Sequence, residues 1–248
     1  MVRTTVRDEE RGDAVKVEIW SDVVCPWCYV GKRHFEEALS RFGHADEVEV
    51  TWRSFELDPD SPARVGLPMS QILQRKYGMT EEQAVAANDK MTTLAASVGL
   101  EYHLDRAQAG NTFDAHRLIH FAAGKGRGDA MKERLLAAYF TEGRAIGDHP
   151  VLVELASEVG LDADEVGAVL AGDAYAAEVR RDEARAHTLG ISGVPFFAID
   201  ETYGISGAQP ADALLGALEQ AWAESHPLTP IGSVGAGGAA CTDDSCAI

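Results

Sequence analysis

Strand-forming sequence occurs only towards the two ends of this chain, and that distribution restricts its fold more than any other feature. VKVEIWS (15–21) alternates and is rich in β-formers, and EVEVTWRSF (47–55) reads the same way. Between them Pro26 stands where a first helical residue would be, and YVGKRHFEEALSRF has the apolar spacing of a helix that stops at Gly43. Strand, cysteine turn, helix, strand makes a βαβ unit. Asp58-Pro59-Asp60-Ser61-Pro62 then breaks the pattern. From about Met69 to Leu189 nearly everything reads as helix, in segments 69–77, 80–98, 112–123, 127–141, 149–158, 162–170 and 173–189. Thr80 with Glu82 and Gln83, and Asp162 with Glu165, are helix-start signals; Gly99, Gly160 and Gly190 are stops. Strand character returns in VPFFAI (194–199) and TYGISG (202–207), which Asp200-Glu201 would join as a hairpin, and Pro210 opens a last helix, ADALLGALEQAW. The simplest account is an α/β domain made of residues 15–60 and 190–222, split by a helical insertion over 61–189. Residues 223–248, rich in Pro, Gly, Ala and Ser, read as a flexible tail.

A chain of 248 residues can bury a full-sized core and does not depend on disulfide staples. Its net charge of -18 argues against nucleic acid or an anionic membrane as partner. No stretch approaches the roughly 18–20 apolar residues of a membrane helix. MVRTTVRDEERGDAV lacks the apolar core of a secretory signal, so a cytoplasmic setting is expected. The thiol pool there is reducing, and a close cysteine pair is expected to be catalytic or metal-binding rather than structural.

The four cysteines are Cys25, Cys28, Cys241 and Cys246, two close pairs at opposite ends. Cys25 should end the strand-to-helix turn, with Pro26 as first helical residue and Cys28 one turn in. Free amide N–H groups and the positive end of the helix dipole would then stabilise a Cys25 thiolate. Its pKa is expected to fall below the free value of about 8.5. A thiolate attacks disulfides and is also a good leaving group, and Cys28 can resolve the mixed disulfide from within. A closed zinc site needs four ligands, and Cys241 and Cys246 are poorly set to complete one, so no metal and no external cofactor is expected. Trp27, between two cysteines at a turn, must be partly exposed and offers clients a hydrophobic foothold.

Three segments together carry a resemblance to a known family. WSDVVCPWCYVGKRHFE, NTFDAHRLIHFA and ISGVPFFAID, with the long helical insertion between, resemble the DsbA-like branch of the thioredoxin superfamily, and within it the FrnE-like group. The resemblance runs from about residue 15 to 222. It implies a thioredoxin-like fold carrying a large all-helical insertion. It implies a thiol–disulfide oxidoreductase or isomerase in which Cys25 attacks and Cys28 resolves. It further implies a cis bond at Val194-Pro195 facing the cysteines, where Pro26, Trp27, Val194 and Pro195 meet an extended substrate. Cysteine-containing client proteins would be the partners, with glutathione or a thioredoxin-type reductant as the source of electrons.

One position departs from the pattern. Thioredoxin and DsbA carry a buried acid six residues before the first cysteine, and Ile19 stands there instead. Asp22 is the nearest acid, either a proton acceptor or a turn cap. DsbA has Pro-His between its cysteines; Trp27 brings no second positive charge, so a less extreme thiolate is expected. His116 and His120 are spaced i, i+4, but no Glu follows His116 as H-E-x-x-H requires. The family places Asn111, Thr112 and His116 beside the active-site groove.

Asp243 and Asp244 flank the tail cysteines and would raise their thiol pKa. A coil of 19 residues from Trp222 spans roughly 5–6 Å × √19, or about 24 Å. The body's radius of gyration should be about 17 Å. Cys241 and Cys246 could therefore reach Cys25 as a secondary redox pair. Two other functions fit the scaffold. One is a kappa-class glutathione transferase or chromene-carboxylate isomerase-like enzyme, against which Cys28 counts. The other is a chaperone that binds unfolded clients around Trp27 without using either cysteine.

Overall fold

The computed structural model describes residues 14–227. Strand β1 (Val15–Ser21) leads into helix α1 (Pro26–Arg41) and, after a 3-10 turn at Ala45–Glu47, strand β2 (Val48–Ser54). Seven helices follow: α2 (Met69–Tyr77), α3 (Glu81–Ser97), α4 (Phe113–Gly124), α5 (Gly128–Phe140), α6 (His149–Glu158), α7 (Ala163–Ala171) and α8 (Ala176–Thr188). The hairpin β3 (Phe196–Ile199) and β4 (Tyr203–Ser206) and the helix α9 (Ala211–Ser225) close the order. The strands form one mixed sheet, β2-β1-β3-β4. β1 and β2 run parallel, with Val15 opposite Val48 and Ser21 opposite Ser54. β3 is antiparallel to both neighbours, Ile199 lying opposite Val17 and Tyr203.

Alternation along β1 sorts its side chains between two layers. Val15, Val17 and Ile19, with Phe197 and Ile199, pack on Phe35 and Ala38 of α1, on Phe42 at its C-terminal cap, and on Leu214 and Leu218 of α9. On the other face Trp20 and Ala198 pack on Ala186 of α8. The remaining helices have their own core, built on Leu118, Met131, Leu135, Leu152, Leu155 and Val166 among others. Tyr29 and Val30 of α1 belong to that core, whereas Phe35 and Ala38 belong to the sheet core. Helix α1 thus crosses the seam between the two, and its N-terminus lies at the seam.

Local signals act as the residues dictate. Asp200 and Glu201 both take left-handed conformations, φ 49 and 54, as the central residues of the turn that the Thr202 amide closes on the Ile199 carbonyl at 3.0 Å. Thr80 forms a reciprocal capping box with Gln83, and Asp162 accepts from the amides of Asp164 and Glu165. Three boundaries differ from expectation by two or three residues. α8 begins at Ala176 rather than 173, because Tyr175 turns left-handed at φ 64 and caps it. β3 begins at Phe196 rather than Val194, since Pro195 has no N–H to give a ladder. α9 continues to Ser225, past Trp222, whose indole stacks between the rings of His44 and His226. Cys241 and Cys246 lie outside the described residues. Among the described residues no helix is long and apolar enough to cross a membrane.

Candidate active site

The turn after β1 is tight: the Cys25 amide donates to the Asp22 carbonyl at 3.4 Å. Cys25 is the N-cap residue of α1 and Pro26 its first helical residue, as the sequence predicts. The Cys28 amide donates to the Cys25 carbonyl at 3.0 Å. The Cys25 side chain makes no capping bond to the helix, which leaves its sulfur for other contacts. Both cysteines are free thiols and buried, and Trp27 between them is 47% exposed.

The loop ahead of β3 faces this turn. The Val194–Pro195 bond is cis, and the Cys25 thiol donates to the Val194 carbonyl at 3.5 Å. The Pro195 carbonyl accepts from Gly207 at 2.8 Å, which holds the loop in place. Gly31 of α1 makes the approach possible: a Cβ there would lie 2.8 Å from Pro195 Cγ. From the helical block, the Tyr102 hydroxyl donates to the Pro26 carbonyl at 2.8 Å. A cysteine pair on a helix start, facing a cis-proline loop, is thus assembled from three distant parts of the chain. A family model, that of the DsbA-like thioredoxin domain, matches residues 16–219. This chain belongs to the DsbA-like thioredoxin family. Its fold is therefore the thioredoxin-like α/β fold with helices inserted, and its general class is that of thiol–disulfide oxidoreductases.

Relatives agree with that placement. The chain is 32% identical over 205 residues to the uncharacterized protein YwbO of Bacillus subtilis, covering 82% of this chain and 96% of that one. A probable DsbA oxidoreductase from Streptomyces coelicolor superposes with a TM-score of 0.82 at 50% identity, over 90% of this chain and 96% of that one. The cytosolic disulfide reductase DsbM of Pseudomonas aeruginosa has the same fold, with a TM-score of 0.59 at 23% identity over 83% and 97% of the two chains. It has also been solved with glutathione.

Behind the cysteines this DsbA-like chain buries three polar side chains, of which the sequence had singled out Asp22 and His116 but not Lys132. Asp22 is fully buried; its carboxylate accepts from the Leu57 amide at 2.8 Å and from His116 Nε2 at 3.3 Å. Burial alone would raise the Asp22 carboxyl. The His116 hydrogen bond and charge, the Leu57 amide and the Lys132 charge outweigh it and hold Asp22 below the usual range. Burial pushes His116 down, against the pull of Asp22, so near neutrality His116 is the uncharged donor of that bond. Lys132 reaches in from α5, and its ammonium donates to the Ser21 carbonyl at 3.1 Å. Burial lowers it to about 8, against the attraction of Cys28, Asp22 and Cys25.

The thiols divide in a way opposite to expectation. The hydrogen bond with Cys28, then burial, raise Cys25 well above an ordinary thiol, despite the Cys28 amide that lowers it. In Cys28 burial works upward, but the hydrogen bond from Cys25, the Lys132 charge, the Ser21 hydroxyl and the Asp22 amide bring it down. The physical reason is which groups each sulfur meets. The Cys28 sulfur and burial favour the S–H form of Cys25, while Cys28 faces donors and a cation, which favour the thiolate. Of the two sulfurs, Cys28 is therefore the one that gives up its proton first, and Cys25 the one that keeps it.

His116 and His120 serve different carboxylates. His120 Nε2 lies 3.0 Å from Asp182, which also accepts from the Ser54 amide at 2.9 Å and from Arg53 at 3.1 Å. Among the described residues no three His, Cys, Asp or Glu side chains gather as a metal cluster. His116 is 1% exposed and Thr112 3%, so both lie under the groove rather than on it. Asn111 is spent on structure, bonding the Pro59 carbonyl and the Phe113 amide. Lys132 and Gly31 were missed in the sequence. A lone Lys in the helix GDAMKERLLAAYF reads as a solvated position, although its neighbours Met131, Leu135 and Leu136 line the buried stripe. A groove of about 470 Å³ between α1, β2 and α4, lined by Lys32, Phe35, Trp52 and His120, includes neither cysteine.

Proposed function

We propose that this protein is a cytoplasmic thiol–disulfide oxidoreductase, able to isomerise as well, with Cys25 as attacking and Cys28 as resolving sulfur. The observation that carries the reading is the contact of the Cys25 thiol with the Val194 carbonyl of the cis Val194–Pro195 loop. A client disulfide laid along that loop would present a sulfur to Cys25, with Trp27 and Pro26 flanking it. As Cys25 attacks, its proton passes to Cys28 across their hydrogen bond, the client S–S bond breaks, and the distal client sulfur leaves with the electron pair. Cys28 then gives its proton to that departing thiolate and attacks the Cys25 sulfur. The Cys25–client bond breaks, the client leaves with both sulfurs reduced, and the enzyme holds a Cys25–Cys28 disulfide. Run backwards, the same steps oxidise a dithiol; run part-way, they shuffle disulfides.

Clients are cysteine-containing proteins, and glutathione or a thioredoxin-type protein restores the dithiol. The glutathione complex of the P. aeruginosa reductase, on the same fold, supports that choice. Cys241 and Cys246 act as a secondary pair that passes electrons to or from Cys25. Replacing both by Ser should slow turnover with a macromolecular reductant; unchanged turnover would leave them idle. For the main reading, a Cys28→Ser variant incubated with a disulfide-bonded client should accumulate a mixed disulfide on Cys25, read by mass spectrometry. Absence of any such adduct over hours at neutral pH would remove the oxidoreductase reading. A glutathione-dependent transferase or isomerase rate that survives loss of Cys28 would take its place.

A further inference from the structure

Lys132 is 1% exposed, and its ammonium has one hydrogen bond, to the Ser21 carbonyl. It also lies 5.5 Å over the centroid of the Trp52 ring, a weaker compensation. Among the described residues no carboxylate lies within the 4.0 Å of an ion pair with it. An ammonium buried with so little around it is costly unless an anion is close. Lys32, from α1, shows the ordinary solution: its side chain is as buried, and Glu36, Asp129 and Glu133 surround it. The anions left to Lys132 are the sulfurs and, beyond ion-pair reach, Asp22. Lys32 and His116, the other groups facing it, offer no negative charge.

Ser21 ties the amine to the cysteine turn. Its carbonyl holds Lys132, and its hydroxyl is buried with no well-formed hydrogen bond of its own, close enough to Cys28 to favour the thiolate. Ile19, fully buried in the sheet core, stands where the resemblance would place an acid. Resting on the dithiol reading above, we propose that Lys132 is the counter-ion of the Cys28 thiolate, a positioning residue that holds the resolving sulfur as an anion. A cation on α5 thus takes the place of a carboxylate on β1. Its chemistry differs in sign. A carboxylate would draw the proton off Cys28, whereas Lys132 lowers the cost of the charge left behind and takes no proton itself. Cys28 then forms its bond to Cys25 while the client sulfur departs with the electron pair, and the ammonium stays as it was.

The test separates this role from a structural one. In a Cys25→Ser background, site-resolved alkylation against pH should show the Cys28 midpoint rise by at least about one unit in Lys132→Met, which is about tenfold less thiolate at neutral pH. In the dithiol protein the same substitution should slow both steps by about tenfold at neutral pH, adduct formation because Cys28 takes up the Cys25 proton and client release because Cys28 attacks as the thiolate. An unmoved Cys28 midpoint overturns the proposal. Where Lys132→Met fails to fold, the wild-type protein decides: the Lys132 amine, followed by NMR, should titrate at lower pH in the oxidised protein than in the reduced one. An amine indifferent to the redox state overturns the proposal equally. A wild-type protein that forms no mixed disulfide at all would sink the oxidoreductase reading, and the Cys28 midpoint would still decide the counter-ion.

Discussion

Cys25 and Cys28 are one helical turn apart, yet their surroundings are of opposite kinds. Cys25 looks out on backbone: the Val194 carbonyl across the groove, with the Pro26 carbonyl anchored by Tyr102. Cys28 looks in on side chains: the Ser21 hydroxyl and the Lys132 ammonium, with the Asp22–His116 pair beside them. A wall made of backbone can serve many clients, because every extended peptide has the same backbone to offer it. A wall made of side chains sets one chemical property, here the charge on a sulfur. Tyr102, His116 and Lys132 all come from the segment between β2 and β3, Tyr102 from the loop after α3 and the other two from α4 and α5, so that segment completes the surroundings of the cysteine turn as well as covering it.

The sharpest way to break the comparison is to exchange the sulfurs' roles. Cys25→Ser should reduce disulfide exchange to the uncatalysed level in a turnover assay. Cys28→Ser should still form the first adduct. Equal adduct formation on Cys28 in Cys25→Ser would show that the inward sulfur also meets clients.

Next in size is the fit of the outer wall. Gly31→Ala puts a Cβ 2.8 Å from Pro195 Cγ, so the cis-proline loop must shift. Overpacking of this kind costs about 1–3 kcal/mol. Urea unfolding should show that loss, and adduct formation should slow while the Cys28 titration stays as it was.

Two buried carboxylates that meet the same short segment should then give opposite pH responses. Asp22, which receives the Leu57 amide, is held below its ordinary range. Its stabilisation is present above the unfolded value near 3.8 and is lost as pH falls through the folded value. Glu56 is raised to about 7, by burial first and by Glu183, against the charge and hydrogen bond of Arg180. Its folded form binds the proton more tightly, so stability is lost as pH rises from about 4.5 towards 7. Thermal unfolding against pH should therefore show Asp22→Asn flattening the acid limb. Glu56→Gln should raise stability at pH 8 more than at pH 4, and a gain confined to pH 4 would reverse the assignment.

The smallest effect belongs far from the cysteines. Thr80→Ala removes the capping box of α3 and should cost about 1 kcal/mol. Disulfide exchange should be untouched, which calibrates how much lost stability alone can slow the enzyme.

Much of this molecule was readable in one dimension. Cys25 could be placed at a helix start because a strand, a proline and an amphipathic run follow one another within a few residues. Thr80, Asp162 and the Asp200-Glu201 turn could be read because caps and tight turns are decided by the residues that form them. These are local matters, in which steric preference and backbone hydrogen bonding act between near neighbours. Ser21 and Lys132 are 111 residues apart, and Cys25 and Val194 169 apart. Periodicity puts position 132 beside the buried stripe of a helix, but says nothing of the cysteine turn that this helix meets. The helix dipole pointed to Cys25 as the thiol with the lowered pKa, and burial with the groups around each sulfur reversed that choice in favour of Cys28. The sequence by itself determined the order of the elements and the position of the dithiol. Only the tertiary structure decided which groups face each sulfur, because burial and charge act through space between parts of the chain that no local pattern connects.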